Sequence, residues 1–445
     1  YEISCSLVGS EMCIRDSESI MNLILRIFTV IVTSFFFFPF FPMFMPDVNT
    51  KMILAAIGLM ALFLDWGNKR DSMVNRDMFF LTLAAMLVGV FGLISEIYHE
   101  TGGNVYTTLF ISMWVWVGAA YTVSLLIKQV HGKVTVRLFF NYVIIVCVVQ
   151  CLIAITKEYY APLKVFVDNL VTGEAFMGKA EGRLYGIGAA LDVAGLRFSA
   201  VLTIITYLCL NSQNDEEIKN IKWYLAAFFI IIIIGCMMSR STTIGIIISL
   251  GYLFYETLIK KKNIALKYYW KYFSMALGII IPVCVVLYHI NDTFYENIRF
   301  GFEGFFNWWE QGSYSTHSNN ILLNMIILPD NLHTWLFGDG YITKPELVDP
   351  YYIGPKYLGF YKDTDIGYLL FIYYFGLIGT ASMVGYICTA ARLCIRRFPT
   401  YKILFIIILL VNLIGWCKVT TDIFVVFAPF LILPVCEKIT PEEEK

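Results

Sequence analysis

Four arginines stand at the edges of apolar runs, where a charged side chain is difficult to accommodate. They are Arg183, Arg197, Arg240 and Arg299. A cation in or near hydrocarbon is costly, and arginine cannot relieve that cost by losing its proton. Each guanidinium must therefore meet an anion, a backbone carbonyl or water. Because planar guanidinium groups match phosphate oxygens, a cluster of these arginines predicts a binding site for a phosphate or diphosphate headgroup.

Arg240 is the clearest of these cases, because it stands between two apolar runs in the stretch "SRSTT" (239–243). The flanking hydroxyls can satisfy backbone groups exposed by a break between two spans, and no acid lies nearby in sequence. The alternative interpretation is a structural arginine that snorkels to the surface. Arg183, near the end of a long loop, has the same two interpretations. Arg197 can instead face a carbonyl, and a long loop can solvate Arg299.

Two further groups are candidates for proton transfer. Histidine is a natural general base near neutral pH, so His317 in "STHSNN" is a candidate base, with an ordinary surface histidine as the alternative. Asp363 and Asp365 occur in "KDTDIGY" just before an apolar run. In an extended segment both carboxylates would share one side. They can bind a divalent cation, or Asp365 can act alone as a base or as the partner of an arginine.

Lys418 and Asp422 flank a short connection near the end of the chain, "CKVTTD". We expect these two residues, with Asp363, either to contact a sugar or acceptor or, for Lys418 and Asp422, to pair with each other. The eleven cysteines form no CxxC or Cys/His cluster, and no Gly-rich phosphate loop, HExxH or GxSxG occurs. We therefore predict no cofactor and no metal site.

The composition is that of a protein in a lipid bilayer. The 445 residues are 58% hydrophobic and only 15% charged, whereas soluble domains carry about 25% charged residues. The mean hydropathy is +0.68. A formal net charge of −1 gives no reason to expect nucleic acid as a partner.

Apolar runs long enough to cross a bilayer, about 17–25 residues each, recur along the chain. They predict an all-α polytopic membrane protein with about 12 transmembrane helices. The predicted spans are 23–45, 52–66, 78–95, 105–127, 138–156, 195–211, 223–238, 242–259, 272–289, 366–391, 401–417 and 421–436.

The loop charges predict the orientation of these spans. Short loops after odd-numbered spans hold only Lys51, Arg240 and Lys418, whereas lysine and arginine are frequent in the loops after even-numbered spans. Because basic residues stay on the cytoplasmic side, both termini are expected in the cytoplasm. The alternation also supports splitting the long run 223–259 at "SRSTT".

We interpret residues 1–20 as a non-native extension, because "SLVGSEMCIRDS" resembles a translated sequencing adapter. Residues 21–445 are predicted to form a single integral membrane domain with two long outer loops, 157–194 and 290–365. The second is rich in aromatic residues, which can stack on sugars or anchor at the membrane interface. Within it, Asn319–Leu328 predicts a helix on the membrane surface or capping the bundle.

From Met21 onward, the chain resembles the bacterial O-antigen and capsular polysaccharide polymerases and the related O-antigen ligases. The order of four stretches carries the resemblance: "GRLYGIGAALDVAGLRFSA", "SRSTTIGIIISL", "LPDNLHTWLFGDGY" and "DTDIGYLLFIYYFGLIG". The resemblance implies a GT-C-like glycosyltransferase of the bacterial cytoplasmic (inner) membrane, with its active site on the outer face. Its substrates would be undecaprenyl-diphosphate-linked oligosaccharides, and a chain-length regulator is a candidate protein partner.

The resemblance also assigns roles to residues. Arg183 and Arg240 resemble the family arginines that would hold the diphosphate, and the spacing of Arg183 to Gly195 approximates the polymerases' Arg-to-Gly pattern. Asp365 stands where ligases place a histidine, which favours a polymerase. The alternatives are a ligase that transfers glycan to lipid A-core and a flippase. Transporters usually place ionisable residues near the bilayer midplane and show repeated halves, and no repeat is evident here.

Overall fold

The computed structural model describes residues 21–68, 72–101, 105–172, 183–259, 264–344 and 359–433, and these residues are mostly helical. The extension interpreted as non-native, residues 1–20, lies outside the described residues. Parts of both long loops, residues 173–182 and 345–358, also lie outside them.

Eight of the described helices are long and apolar enough to cross a bilayer. The chain is therefore a helical, multi-pass membrane protein. The eight helices are α3 (Ser72–His99), α4 (Leu109–His131), α5 (Val136–Tyr159), α7 (Leu191–Leu210), α8 (Asp215–Met238), α9 (Thr242–Ile259), α10 (Ile264–Ile290) and α15 (Gly367–Arg397).

Other described helices are also apolar, but their apolar stretches are shorter. Each span predicted from the sequence overlaps one of the eight long helices or one of these shorter ones. These further helices are α1 (Met21–Phe37), α2 (Thr50–Asn68), α16 (Lys402–Gly415) and α17 (Phe424–Ile432). The connection at residues 416–423 separates α16 from α17, so the two last predicted spans are distinct helices.

Helix α7 lies at the centre of the bundle. It is buried over nearly its whole length and packs against α8, α9 and α16, whereas α10 is largely exposed at the edge. Close approach of α7 to α9 requires glycine at Gly245, where an added Cβ would lie 2.3 Å from the Cα of Ser199. The central helix therefore reaches the break between α8 and α9 directly.

The predicted break within residues 223–259 is confirmed, because α8 ends at Met238 and α9 begins at Thr242. The threonine hydroxyls satisfy exposed carbonyls, as expected: Thr243 Oγ1 donates to the carbonyl of Arg240 at 2.7 Å. Thr242 Oγ1 donates to the carbonyl of Gly235 at 3.1 Å. Arg240 therefore lies between the two apolar helices and belongs to neither.

Short helices follow α10 and cover one end of the bundle, which we call the loop end. They are α11 (Asp292–Gly301), α12 (Glu303–Gln311), α13 (His317–Asn324) and α14 (Leu332–Phe337). The predicted helix at Asn319–Leu328 exists as α13 but starts and ends earlier. Another short helix, α6 (Ala161–Leu170), follows α5, and a two-residue antiparallel pair, β1 (Phe41–Pro42) with β2 (Val171–Thr172), completes the fold.

Candidate functional site

Arg183 and Arg240 converge on one aromatic ring at the loop end. The guanidinium carbon of Arg183 lies 5.1 Å from the ring centroid of Phe300, and that of Arg240 lies 4.3 Å from it. Arg183 precedes α7, Arg240 lies in the break between α8 and α9, and Phe300 belongs to α11. Three separate parts of the chain therefore build this arginine pair.

Two of the three guanidinium nitrogens of Arg240 make polar contacts that position the side chain. Its Nε donates to the carbonyl of Phe300 at 3.1 Å, and its Nη1 donates to Ser318 Oγ at 2.9 Å. Glu303 Oε2 lies 2.7 Å from Nη1, and the two side chains are only 15% and 24% exposed. Burial lowers the pKa of Arg240, while the charge of Glu303 opposes that shift. Glu303 is thus the acidic partner that no residue near Arg240 in sequence supplies.

Glu303 also connects the arginine pair to α13. Its Oε1 accepts a hydrogen bond from the backbone N–H of His317 at 3.1 Å. His317 is the first residue of α13, and its side chain is exposed beside Ser318, which contacts Arg240. The structure therefore brings His317 to the edge of the site, and its role as a base remains a prediction.

A second group of polar side chains adjoins Arg240 on the side of α7. Lys418 Nζ lies 3.3 Å from Asp192 Oδ1 and donates to Ser241 Oγ at 2.9 Å. Ser239 Oγ donates to the same Asp192 oxygen at 3.1 Å, and Ser241 Oγ donates to it as well. Both serines flank Arg240, so Lys418 and Asp192 belong to the site.

The expected pairing of Lys418 with Asp422 is wrong, because Lys418 binds Asp192 instead. Sequence reasoning missed Asp192, although it lies in the first turn of α7, in a stretch that the resemblance had singled out. A carboxylate is stabilised near the N-terminus of a helix, because the helix dipole is positive there. In the sequence, this position is the only local indication of a role for Asp192.

A small cavity of about 130 Å³ opens between the break and the loop helices. Arg240, Lys418, Tyr314, Thr316 and Asn319 line it with polar groups, and residues of α11 and α12 close it. Its volume suits a small anionic group rather than a whole glycan.

Two of the predicted diphosphate-binding residues lie elsewhere. Arg299 is held by a two-pronged contact with Glu310, with distances of 2.6 and 2.8 Å, and both residues are on the surface. Its guanidinium fork is therefore already occupied by a carboxylate. Arg197 is buried and donates from Nη1 to the carbonyl of Phe37, which is the alternative that the sequence left open for it.

The two acids of "KDTDIGY" do not share one side. Lys362 and Asp363 have left-handed φ values of 56° and 52°, so the segment turns instead of extending. Asp363 is 74% exposed and pairs with Lys344 at 2.5 Å. Asp365 is half-buried just before α15. Among the described residues, no group of three or more His, Cys, Asp or Glu side chains is arranged to hold a metal ion.

The first turn of α15 brings Asp365 towards the connection that carries Lys418. The N–H of Tyr368 donates to the carbonyl of Trp416 at 3.1 Å. A Cβ at Gly367 would lie 2.4 Å from the carbonyl oxygen of Val419, so the two segments touch through their backbones. Asp365 is thereby placed on the same side of the bundle as Lys418.

Asp422 lies beyond Lys418 in the same connection and belongs to a different cluster. Its Oδ1 accepts a hydrogen bond from the N–H of Phe424 at 2.8 Å. Burial raises the pKa of Asp422, and the charges of Lys51 and Arg197 act against that shift. Asp422 and Arg197, which were expected at one site with Arg240, therefore lie together at another.

No protein-family model and no curated protein matches this chain. Its function is therefore inferred from the chemistry of two adjoining groups at the loop end, the arginine pair and the group formed by Lys418 and Asp192. The guanidinium group of Arg240, the ammonium group of Lys418 and several hydroxyls line a small cavity, and the guanidinium of Arg183 lies against the same Phe300 ring as that of Arg240. Such a set of donors stabilises a bound anion, above all one with several oxygens.

Proposed function

We propose that the protein is a membrane-embedded glycosyltransferase that joins undecaprenyl-diphosphate-linked oligosaccharide units into a polysaccharide such as O antigen, capsule or exopolysaccharide. The observation that supports this proposal is the arginine pair, because the guanidinium groups of Arg183 and Arg240 both lie against the ring of Phe300. Two guanidinium forks around one ring suit the two phosphates of a diphosphate better than a single charge. The resemblance to polymerases in the order of four sequence stretches points to the same substrate.

The proposal includes the arrangement in the membrane. It has twelve crossings in a GT-C-like fold, both termini in the cytoplasm and the loop end facing outward from the bacterial inner membrane. The distribution of lysine and arginine among the loops supports this orientation. The candidate residues lie at helix ends and breaks, whereas a transporter would hold ionisable groups near the midplane.

In the proposed reaction, a hydroxyl oxygen of the acceptor attacks the anomeric carbon of the donor from the face opposite the diphosphate. A new glycosidic C–O bond forms while the bond to the diphosphate oxygen breaks, and the electron pair stays on the diphosphate. The configuration at the anomeric carbon is inverted. Arg183 and Arg240 stabilise the charge that develops on the leaving group, in a site with little water.

The proton of the attacking hydroxyl passes to a base, for which His317 and Asp365 are the candidates. Lys418 stands on the other side of Arg240, where its ammonium group can donate to a phosphate or sugar oxygen once it leaves Asp192. Glu303 contacts Arg240, so a diphosphate that binds this guanidinium must compete with the carboxylate.

A reconstitution with purified protein and lipid-linked repeat units tests the proposal. Longer lipid-linked chains would support a polymerase. Product formed only after a second acceptor, such as lipid A-core, is added would indicate a ligase. Movement of the substrate across the bilayer without a new glycosidic bond would indicate a flippase and refute the enzymatic proposal.

A further inference from the structure

A second pair of cations shares another aromatic ring, that of Trp116. The Nζ of Lys51 lies 4.3 Å from the centroid of the indole ring, and the guanidinium carbon of Arg197 lies 5.6 Å from it. The arrangement repeats that of Arg183, Arg240 and Phe300 with different residues. We call this group, with Asp422, the indole site.

The indole site is separate from the arginine pair. Arg197 follows Asp192 by five residues on α7, which amounts to about 7.5 Å along the helix axis and about 140° around it. Asp192 faces the serines next to Arg240, so Arg197 points to a different face of the same helix. Lys51 lies in the first turn of α2 and Trp116 lies on α4, two helices that pack against each other.

The cations of the indole site are incompletely satisfied. Arg197 is only 5% exposed, and although Nη1 donates to the carbonyl of Phe37, its buried Nε has no hydrogen-bond acceptor. A buried donor without an acceptor costs free energy, and more so when it is charged. Asp422 acts on both cations by its charge, but in the described part of the chain neither cation lies within 4 Å of its carboxylate oxygens. Two cations thus face one carboxylate across a gap.

Three of the four side chains of the indole site are partly exposed. Lys51, Trp116 and Asp422 are each half-buried, whereas Arg197 is buried beneath them. An anion bound by Lys51 beside the ring of Trp116 would lie next to Arg197, whose Nε lacks an acceptor. Because that Nε is a donor and the local charge is positive, the group that suits this position is an anion with an accepting oxygen.

We propose that Lys51 and Arg197 bind the phosphate group of a second lipid-linked oligosaccharide, the acceptor. The assignment to the acceptor rests on the proposed function, because joining two lipid-linked units requires two such headgroups in one protein. The arginine pair holds the donor diphosphate, and the indole site holds the headgroup from which the attacking sugar extends. One oligosaccharide unit then bridges the two sites across α7.

The test counts bound lipid in the full-length protein. Native mass spectrometry of protein in nanodiscs of zwitterionic lipid would be recorded with undecaprenyl diphosphate added. Wild-type protein is expected to bind two equivalents, Lys51→Gln one, Arg240→Lys one, and the double variant none. We replace Lys51 and not the buried Arg197, because Lys51 is only half-buried and its replacement should disturb the packing of the core less.

Lys222→Gln provides the matched control, because Lys222 Nζ lies 5.3 Å from the ring of Trp223 in a similar contact outside both sites. This variant should keep two equivalents. Inorganic pyrophosphate should displace the lipid from the Lys51-dependent position, which would identify the phosphate as the recognised group. Displacement by phosphatidylglycerol but not by pyrophosphate would mark a structural phospholipid and overturn the proposal.

A single equivalent in the wild type, or two equivalents in Lys51→Gln, would also overturn the proposed site. Failure of the proposed function has a different signature. Two equivalents bound with no elongation in the reconstituted assay would refute the polymerase while leaving the anion site at Lys51 and Arg197 supported.

Discussion

The carboxylate of Glu303 lies 2.7 Å from the guanidinium of Arg240, the group that we propose binds a phosphate oxygen. The same carboxylate accepts the backbone N–H of His317 and thereby holds α13 against the break between α8 and α9. A partly buried guanidinium needs a counter-charge when no substrate is bound. Glu303 supplies that charge, and under the proposed function it would compete with the diphosphate for Arg240.

Replacing Glu303 with glutamine should therefore strengthen binding of undecaprenyl diphosphate. An ion pair with this exposure contributes about 1 kcal/mol, so we expect an affinity increase of roughly five- to tenfold together with lower stability of the ligand-free protein. Isothermal titration in nanodiscs would measure the change. Glu310→Gln is the control, because it removes an equivalent partner from Arg299 on the surface. Unchanged or weaker binding in Glu303→Gln would contradict a competing role.

Arg240→Lys should abolish product formation while leaving the protein in the membrane. Lysine keeps the charge but cannot make a forked contact, and loss of one preorganised donor to a developing charge costs about 100-fold or more in rate. Elongation per amount of membrane protein would be measured in the reconstituted assay. Arg299→Lys, whose guanidinium is held by Glu310, should retain activity. Chain lengths like those of the wild type in Arg240→Lys would remove Arg240 from the mechanism.

Phe300→Leu should weaken diphosphate binding by both Arg183 and Arg240. Both guanidinium groups lie against its ring, and each cation–π contact contributes about 0.5–1 kcal/mol, so we expect diphosphate affinity to fall roughly five- to thirtyfold. Phe306→Leu removes a ring 4.9 Å from Arg299 and is the matched control. The same titration distinguishes them: equal affinities in both variants would show that Phe300 does not organise the site.

The sequence predicts those features that depend on neighbours along the chain. The apolar runs predict the helices, and the polar stretch around Arg240 predicts the break, because each is decided by local hydropathy and hydroxyl groups. The partners Phe300, Glu303 and Asp192 are set by tertiary packing between distant segments, so no local pattern indicates them. For the same reason, charge and edge position alone could not distinguish Arg299, which Glu310 occupies, from Arg183.

Asp422 should make anion binding at the indole site dependent on pH. Burial raises the pKa of this carboxyl above its ordinary value, and the groups that face it are Lys51, Arg197 and the hydroxyls of Tyr106 and Tyr386. As the pH falls through the raised pKa, the carboxylate becomes neutral and no longer repels an incoming phosphate. The affinity of the indole site for the anion should therefore rise as the pH falls. Removing one nearby negative charge should increase this affinity roughly tenfold.

At neutral pH, the Asp422→Asn variant should bind the anion as tightly as the wild type does at acidic pH. The part of the pH dependence that comes from the Asp422 carboxyl should be absent in this variant. Titrations in an Arg240→Lys background would report the indole site alone, and the ligand's own titration cancels in the comparison. Asp363→Asn, at an exposed position, should keep the wild-type profile. Identical profiles for Asp422→Asn and the wild type would separate Asp422 from the bound anion.

The break inside α15 explains why the G-x-x-G stretch occurs in this span. Phe375 and Gly376 depart from helical geometry, and Gly376 has φ 68° and ψ −172°, a conformation open essentially to glycine alone. The break frees the carbonyls of Tyr373 and Tyr374, and the N–H groups of Asp339 and Gly340 donate to them at 2.5 and 3.1 Å. The segment after α14 is thereby fixed to the span.

Gly376→Ala should therefore destabilise the protein by about 3 kcal/mol or more, because the backbone is strained and the new Cβ would lie 2.1 Å from the carbonyl oxygen of Leu336. Gly385→Ala, in the same helix, meets no atom within 4 Å and should be neutral or stabilise by up to about 1 kcal/mol. The free energy of unfolding in mixed detergent micelles would measure both. Equal stability of the two variants would mean that α15 does not need glycine at its break.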